Sequence, residues 1–156
     1  RCGGVVLAEA YACWKSLIDT QSDLIDPSVR FRFHQGRDMS ACDVETVRAA
    51  IRNITPRFYR RIAGYDALIA PTIPIMPPPL AELEGDVDSY RIANGRALRN
   101  TQLGNLIACC ALTLPVGCPQ TPVGLMVMAP AGEDDRLLRV GKAIENAMAR
   151  AQGDNA

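Results

Sequence analysis

The sequence is poor in the residues and motifs that most hydrolytic and nucleotide-binding sites require. It has one histidine, His34, and two lysines, Lys15 and Lys142, so every other basic residue is an arginine. A Ser-His-Asp triad is disfavoured because His34 lies in the polar stretch RFRFHQG and no G-x-S-x-G elbow occurs. The patterns G-x-G-x-x-G and G-x-x-x-x-G-K are also absent, which excludes the usual phosphate-binding loops.

The chain also lacks a charge bias and long apolar runs. Its formal net charge is zero, which argues against a nucleic-acid partner. Its longest apolar runs fall far short of the roughly 20 residues that cross a bilayer, so we expect no membrane partner. A length of 156 residues is that of one average domain. We predict a single domain over 1–156, itself part of a larger one, with a frayed tail at 153–156.

The cysteines do not form a recognisable metal or disulfide pattern. No C-x-x-C occurs, and a chain of this length and apolar content does not need a disulfide framework. We therefore expect no metal and no cofactor, and reduced thiols in a cytoplasmic protein. Cys109 and Cys110 are adjacent in the apolar stretch NLIACCALTLPVG, where the surroundings raise a thiol pKa, so we predict that they pack rather than react.

Apolar periodicity and helix-capping residues predict several helices. Those expected before the first strand are Val5–Ile18, a short helix capped by Asp26 with Pro27 in its first turn, and a long helix beginning at Ser40 and either kinked or divided at Pro56. Residues 87–110 are predicted to be helical with a break at Gly95 and a second at Gly104. The last helix is predicted to bury Leu137, Val140, Ile144 and Met148.

Three short segments are predicted strands, which makes the fold class α/β with a small sheet flanked by helices. Asp66–Ala70 suits a buried strand, and the prolines that follow force the chain to leave the sheet as an extended loop. Ala111–Pro115 and Val123–Pro130 are close enough in sequence to form a hairpin.

Three segments, in this order, resemble the C-terminal part of the amidase signature family. They are DALIAPTIPIMPPP (66–79), LRNTQLGNLIACCALTLPVG (98–117) and TPVGLMVMAPAGEDDRLLRVGKAIE (121–145). The resemblance implies an α/β/α fold around a large mixed sheet, of which this chain would be the C-terminal part. It also implies hydrolysis of linear amides by a serine nucleophile, a second serine with a cis peptide bond, and a lysine base.

The family's catalytic set is missing from this sequence. No paired serines and no Gly/Ser-rich stretch occur, and neither Lys15 nor Lys142 has the context of the family's catalytic lysine. We therefore assign no catalytic residue and expect the chain alone to be inactive. We expect a C-terminal segment that forms the pocket wall and closing layer of an amidase, that needs an N-terminal catalytic half, and that self-associates when isolated.

The resemblance also indicates pocket residues for a small amide substrate. These are Thr72, Pro74, Asn100 and Thr101, with Asn105 either in the pocket or holding backbone at a helix end. For Thr72, capping of a strand end is an equally good interpretation. Where the family usually has glycine and proline, this chain has Ala108 and Cys110, so we expect the preceding helix to run one or two residues further.

Two alternatives to an amidase segment remain at this point. One is a non-catalytic binding or assembly module derived from the family. The other is an unrelated small α/β protein with its own cysteine chemistry.

Overall fold

A computed structural model describes residues 4–84, 86–117 and 123–153. Its six α-helices and three strands are, in chain order, α1 (Gly4–Thr20), α2 (Pro27–Arg37), α3 (Ala41–Ile62), β1 (Leu68–Pro71), α4 (Val87–Ala97), α5 (Arg99–Leu106), β2 (Cys110–Val116), β3 (Val123–Ala129) and α6 (Asp134–Gly153). The predicted α/β class, with three short strands flanked by helices, is confirmed. The residues between the predicted hairpin strands, 118–122, and the end of the predicted tail, 154–156, lie outside the described residues.

The chain divides into two compact units. The first comprises the described residues as far as Thr55 together with Pro77–Gly95, and the second comprises Pro56–Met76 and the described residues from Arg96 onward.

In the first unit, α1 and α2 pack closely. Gly36 of α2 is buried, and a Cβ built on it would lie 2.1 Å from the carbonyl oxygen of Leu7 in α1. Only a residue without a side chain allows the two backbones to approach so closely. The Arg91 guanidinium lies 3.6 Å from the centre of the Phe31 ring, a cation–π contact that joins α4 to α2.

The starts of α2 and α3 follow the predicted capping residues. The Asp26 side chain accepts a hydrogen bond of 2.8 Å from the backbone N–H of Ser28, and Pro27 occupies the first turn. At the start of α3, Ser40 Oγ accepts from the Asp43 N–H at 3.1 Å, and Asp43 Oδ2 accepts from the Ser40 N–H at 3.1 Å. This reciprocal pair satisfies two backbone donors that the helix leaves unpaired.

Of the two alternatives predicted at Pro56, division into two helices is excluded, because α3 is one element in which Pro56 is an interior residue. The prediction of helix breaks at Gly95 and Gly104 was wrong. The 87–110 segment breaks at Leu98, between α4 and α5, whereas Gly95 and Gly104 both lie inside helices. Neither glycine has a positive φ angle, so both remain compatible with a helix.

The second unit is built on an antiparallel sheet with the strand order β1-β3-β2. The hairpin pairing of β2 and β3 is confirmed, with Leu112 opposite Val127 and Thr113 opposite Met126. Helix α6 covers one face, where Val127 and Ala129 pack against Leu137 in the core. Two more predicted core residues of α6, Val140 and Ile144, pack against this cluster, and Met148 is half-buried.

The prediction that the first strand is buried was wrong. Among the strands that the structure describes, β1 pairs with β3 alone, and Ile69 on this strand keeps 58% of its surface exposed. The apolar run Ala67–Ala70 made a strand predictable, but periodicity carries no signal for whether a strand lies at an edge. The chain leaves the sheet after Pro71, as the prolines predicted.

Candidate active-site wall

A polar group of side chains lies where β1 ends, on the sheet face opposite α6. Thr72 continues the strand for one residue, since its backbone N–H donates to the carbonyl oxygen of Gly124 at 2.8 Å. Its side chain then lies on the same face as those of Ala70 and Thr113, because side chains alternate along a strand and directly paired residues share a face. Leu112, next to Thr113, points the other way and meets Gly141 of α6.

The hydroxyls of Thr72 and Thr113 meet above a glycine. Their oxygens are 3.1 Å apart although β3 lies between the two strands that carry them. A Cβ on Gly124 would lie 2.6 Å from Thr72 Oγ1 and 2.8 Å from Thr113 Cγ2. The absence of a side chain at Gly124 is therefore what allows the two hydroxyls to form a hydrogen bond.

Asn100 is tied to the same strand end. It lies in the first turn of α5, is half-buried, and its Nδ2 donates to the carbonyl oxygen of Pro71 at 2.7 Å. This bond connects α5 with the residue immediately before Thr72. We call Thr72, Asn100 and Thr113 the hydroxyl–amide cluster.

The structure thus holds two of the sequence-predicted pocket residues, Thr72 and Asn100, at the end of β1. Thr101 is half-buried, and its hydroxyl donates to the carbonyl of Leu98 at 3.1 Å, within its own helical region. Pro74 is half-buried in the loop two residues beyond Thr72, and Asn105 is exposed near the end of α5. Contact of any of these residues with a substrate stays a prediction.

Thr113 was missed by sequence reasoning. It is exposed and is the only polar residue in β2 apart from Cys110. A single threonine in an otherwise apolar strand was the signal that could have found it, because alternation places it opposite the core-facing leucines.

The turn between α5 and β2 does not behave as the sequence predicted. Helix α5 ends at Leu106 rather than running further, and Ala108 adopts a left-handed conformation with φ 54°. This is the position at which the resembled family usually has glycine, the residue that takes such angles without strain. The turn therefore still requires a left-handed backbone at position 108, although the residue there is alanine rather than glycine.

The two adjacent cysteines differ in their surroundings. Burial raises the pKa of the Cys109 thiol, the neighbouring Cys110 raises it further, and a hydrogen bond with Tyr59 partly lowers it. Cys110 Sγ lies 3.3 Å from the carbonyl oxygen of Pro130 as a weak donor. Both cysteines are free, and a thiol with a raised pKa is a poor nucleophile, which supports the packing interpretation.

A concave surface lies beside α6. It is a groove of about 510 Å³, and its lining residues include Asp66, Arg139, Val140 and Ile144. We place the candidate site at the hydroxyl–amide cluster instead, because Thr72 and Asn100 are among the pocket residues that the sequence predicts and both are held at the end of β1.

Comparison with known proteins identifies the family. A family model described as Amidase matches residues 5–138. The chain belongs to the amidase family. This membership agrees with the resemblance carried by the ordered segments between Asp66 and Glu145, and it rules out an unrelated small α/β protein.

Relatives of known function are longer than this chain. The 2-amino-5-chloromuconic acid deaminase of Comamonas testosteroni is 34% identical over 147 residues, which cover 93% of this chain and 32% of the deaminase. A glutamyl-tRNA(Gln) amidotransferase component from Acidothermus cellulolyticus is 39% identical over 92 residues, covering 57% of this chain and 17% of that protein. A crystal structure of an amidase superposes with a TM-score of 0.76 at 26% identity, covering 91% of this chain and 33% of that one. The chain therefore spans about a third or less of each of these proteins.

No described helix is both long enough and apolar enough to cross a membrane. Within the same part of the chain, no group of three or more His, Cys, Asp or Glu residues is arranged to hold a metal ion.

Proposed function

We propose that this chain forms one wall of the substrate pocket, and the layer that closes it, in a protein that hydrolyses C–N bonds of small amides. The observation that carries the proposal is the hydroxyl–amide cluster. Three uncharged polar side chains from β2, α5 and the end of β1 converge at one exposed strand end, and two of them meet over Gly124. Family membership supplies the reaction class.

The role of the cluster is to bind and orient rather than to carry out bond cleavage. Hydroxyl and amide groups at fixed positions can hold the substrate so that its carbonyl carbon is presented to a nucleophile, and such positioning contributes much of an enzyme's rate. The sequence lacks the paired serines that the family resemblance implies, so the proposal assigns the nucleophile and the oxyanion-hole donors to residues outside it.

Lys142 is a poor candidate for the base. Its ammonium group forms an ion pair of 2.8 Å with Glu145, and its side chain is 68% exposed on α6. A lysine that acts as a base is usually buried or lies beside another cation, whereas this side chain is exposed and paired with a carboxylate. This supports a pocket-wall role for the chain, with the catalytic lysine lying outside this sequence.

A chimera tests the proposal directly. In the Comamonas deaminase, the segment that matches this chain is replaced by this chain, and ammonia release from 2-amino-5-chloromuconic acid and from simple amides is measured. We expect ammonia release by the chimera and none by the isolated chain. Circular dichroism and sedimentation establish that the chimera is folded.

Variants of the chimera connect the activity to the cluster. Thr72→Val and Asn100→Ala are expected to raise KM or lower kcat by about tenfold or more, since each removes a polar group at the proposed wall. Thr46→Val is the matched control, because the Thr46 hydroxyl only donates to the Cys42 carbonyl on an exposed part of α3. A folded chimera without ammonia release would refute the proposal and favour a non-catalytic module derived from the family.

A further inference from the structure

One face of helix α1 is apolar and is left open by the described residues. Val6, Trp14 and Leu17 keep 47%, 58% and 41% of their surfaces exposed, Cys13 is exposed, and Ala10 between them is half-buried. We call these five residues the α1 seam. We infer that the α1 seam is an interaction surface whose partner is the same seam of a second copy of this chain, in antiparallel orientation. The inference goes beyond the proposed function and does not depend on it.

The spacing of the seam residues is that of a contact between two helices. Val6, Ala10, Cys13 and Leu17 follow one another at intervals of four, three and four residues, as the a and d positions of a coiled coil do. This series of intervals is the same when the helix is read in the opposite direction. An antiparallel copy therefore places Val6 against the partner's Leu17 and Ala10 against the partner's Cys13.

Trp14 lies beside this row and adds an aromatic contact. The two-fold axis of the antiparallel pair passes between positions 11 and 12, so both Trp14 side chains lie on the same side of the contact. At a rise of about 1.5 Å per residue, the two positions are only about 7–8 Å apart along the helix axis. The small residues Ala10 and Cys13 let the helices approach at this point, and the two indole rings then come within reach of each other.

The charged residue on the other side of the seam does not oppose the pairing. Two Glu9 carboxylates meet there, and by themselves they would repel each other. Glu9 is paired with Arg48 of α3 at 3.1 Å, Arg48 is paired with Glu45 at 3.1 Å, and Arg52 lies 3.9 Å from Glu45. These four groups have no net charge. The carboxylate of one copy can therefore face the guanidinium of the other.

The size of the seam sets the expected strength of the contact. Helix α1 has 17 residues and is therefore about 25 Å long. A contact along one such helix buries less than the roughly 800 Å² per partner that is usual for a stable complex, although tryptophan is among the residues that contribute most to binding. We therefore expect a dimer that is populated at about 100 μM and dissociated at about 1 μM.

The first experiment follows self-association and the environment of Trp14 together. Trp14 is the single tryptophan of the sequence, so its emission reports on the seam. Under reducing conditions, sedimentation velocity and tryptophan emission are measured between about 1 and 100 μM. We expect the dimer fraction to rise with concentration and the emission maximum to move to shorter wavelength in parallel. A chain that stays monomeric, or a dimer whose emission does not move, would overturn the inference.

Substitutions then locate the contact. Trp14→Glu and Leu17→Glu each place a charge in the seam and should weaken dimerisation by about tenfold or more. Ala12→Glu is the matched control, because Ala12 is exposed on the same helix but lies off the seam. Circular dichroism establishes that the variants are folded. Equal association of Trp14→Glu and Ala12→Glu would place the contact on another surface, such as the edge of β1, and would refute the seam.

The orientation is tested without a charged substitution. Chains carrying Val6→Cys and chains carrying Leu17→Cys are mixed and oxidised, and the joined peptides are identified by mass spectrometry. We expect disulfides that connect position 6 of one chain with position 17 of the other. Disulfides that connect position 6 with position 6 would contradict the antiparallel arrangement.

The chimera with the Comamonas deaminase separates a second copy from the rest of an amidase as the occupant of the seam. We expect the chimera to dimerise and Trp14→Glu to weaken that dimer. A monomeric chimera, in which Trp14→Glu lowers the free energy of unfolding and Ala12→Glu does not, would show that the deaminase portion covers the seam and would overturn the inference. Ammonia release is read separately, so either outcome leaves the proposed function to its own test.

Discussion

The Tyr59 hydroxyl donates a hydrogen bond of 2.7 Å to the carbonyl oxygen of Ile107, 48 residues later in the chain. The Tyr59 hydroxyl oxygen also lies 3.0 Å from the carbonyl oxygen of Ala108, and it accepts a hydrogen bond of 3.2 Å from the backbone N–H of Ala131. One side chain of α3 therefore holds both the α5–β2 turn and the loop between β3 and α6. Since α5 and β2 carry two of the three cluster residues, Tyr59 helps to set the geometry of the candidate wall.

Tyr59→Phe should lower the free energy of unfolding by about 1–3 kcal/mol, because it leaves the carbonyl oxygen of the buried Ile107 without its partner. Urea unfolding followed by circular dichroism measures the change. Tyr65→Phe is the control, since Tyr65 is 68% exposed and its substitution should change stability by less than about 0.5 kcal/mol. Equal effects of the two substitutions would show that the Tyr59 hydroxyl contributes nothing specific.

Ala108→Gly should stabilise the protein. Ala108 has φ 54°, a left-handed conformation that costs a residue with a Cβ about 1–2 kcal/mol and that glycine adopts without this cost. Glycine also makes the unfolded chain more flexible, and this offsets part of the gain in stability. The expected net gain in the free energy of unfolding is roughly 0.5–1 kcal/mol. Ala143→Gly, in the exposed part of α6, should lose about 1 kcal/mol under the same conditions. A loss at both positions would contradict the strain assigned to Ala108.

Local chemistry made much of the fold predictable from sequence. The helix caps at Asp26 and Ser40 were recognisable because each side chain accepts from a backbone N–H within three residues. The two hairpin strands were recognisable from their short apolar runs and from the prolines at their ends. The break at Leu98 was not predictable in this way. Glycine was the expected breaker there, yet Gly95 and Gly104 both stay helical.

The candidate site was only half predictable, for a geometric reason. Thr113 lies in the same family-like segment as Asn100, but that resemblance did not indicate it as a pocket residue. It meets Thr72 only because β1 and β2 flank the same strand and Gly124 leaves room between them. Sequence patterns describe one strand at a time. They do not show which side chains meet across an intervening strand.

Cys109 should react more slowly with iodoacetamide than the exposed Cys13 at a pH of about 8. Burial, followed by the neighbouring Cys110, raises the pKa of the Cys109 thiol and so lowers its thiolate fraction. Peptide mass spectrometry after timed alkylation gives both rates, and the gap should narrow as the pH rises. A faster reaction at Cys109 would contradict the packing interpretation of the cysteine pair.

The same pKa shift predicts a pH dependence of stability. Because the folded chain holds the Cys109 proton more tightly than the unfolded chain does, the free energy of unfolding should fall as the pH rises above about 8.5, the ordinary pKa of a thiol. Below that pH the contribution is fully present. Since other groups also titrate in alkaline solution, the measured quantity is the difference between this chain and Cys109→Ser, whose stability should fall less steeply.

Gly36→Ala should be among the most disruptive single substitutions in the first unit. The new Cβ would lie 2.1 Å from the carbonyl oxygen and 2.4 Å from the carbonyl carbon of Leu7, and backbone atoms in a packed helix cannot move aside cheaply. We expect the free energy of unfolding to fall by about 2–3 kcal/mol or more. Gly95→Ala makes the same chemical change in α4 with open space around it, and should instead gain roughly 0.5–1 kcal/mol from better helix propensity. Opposite signs for the two alanines, measured by urea unfolding, would show that the close approach of α1 and α2 is what requires glycine at position 36.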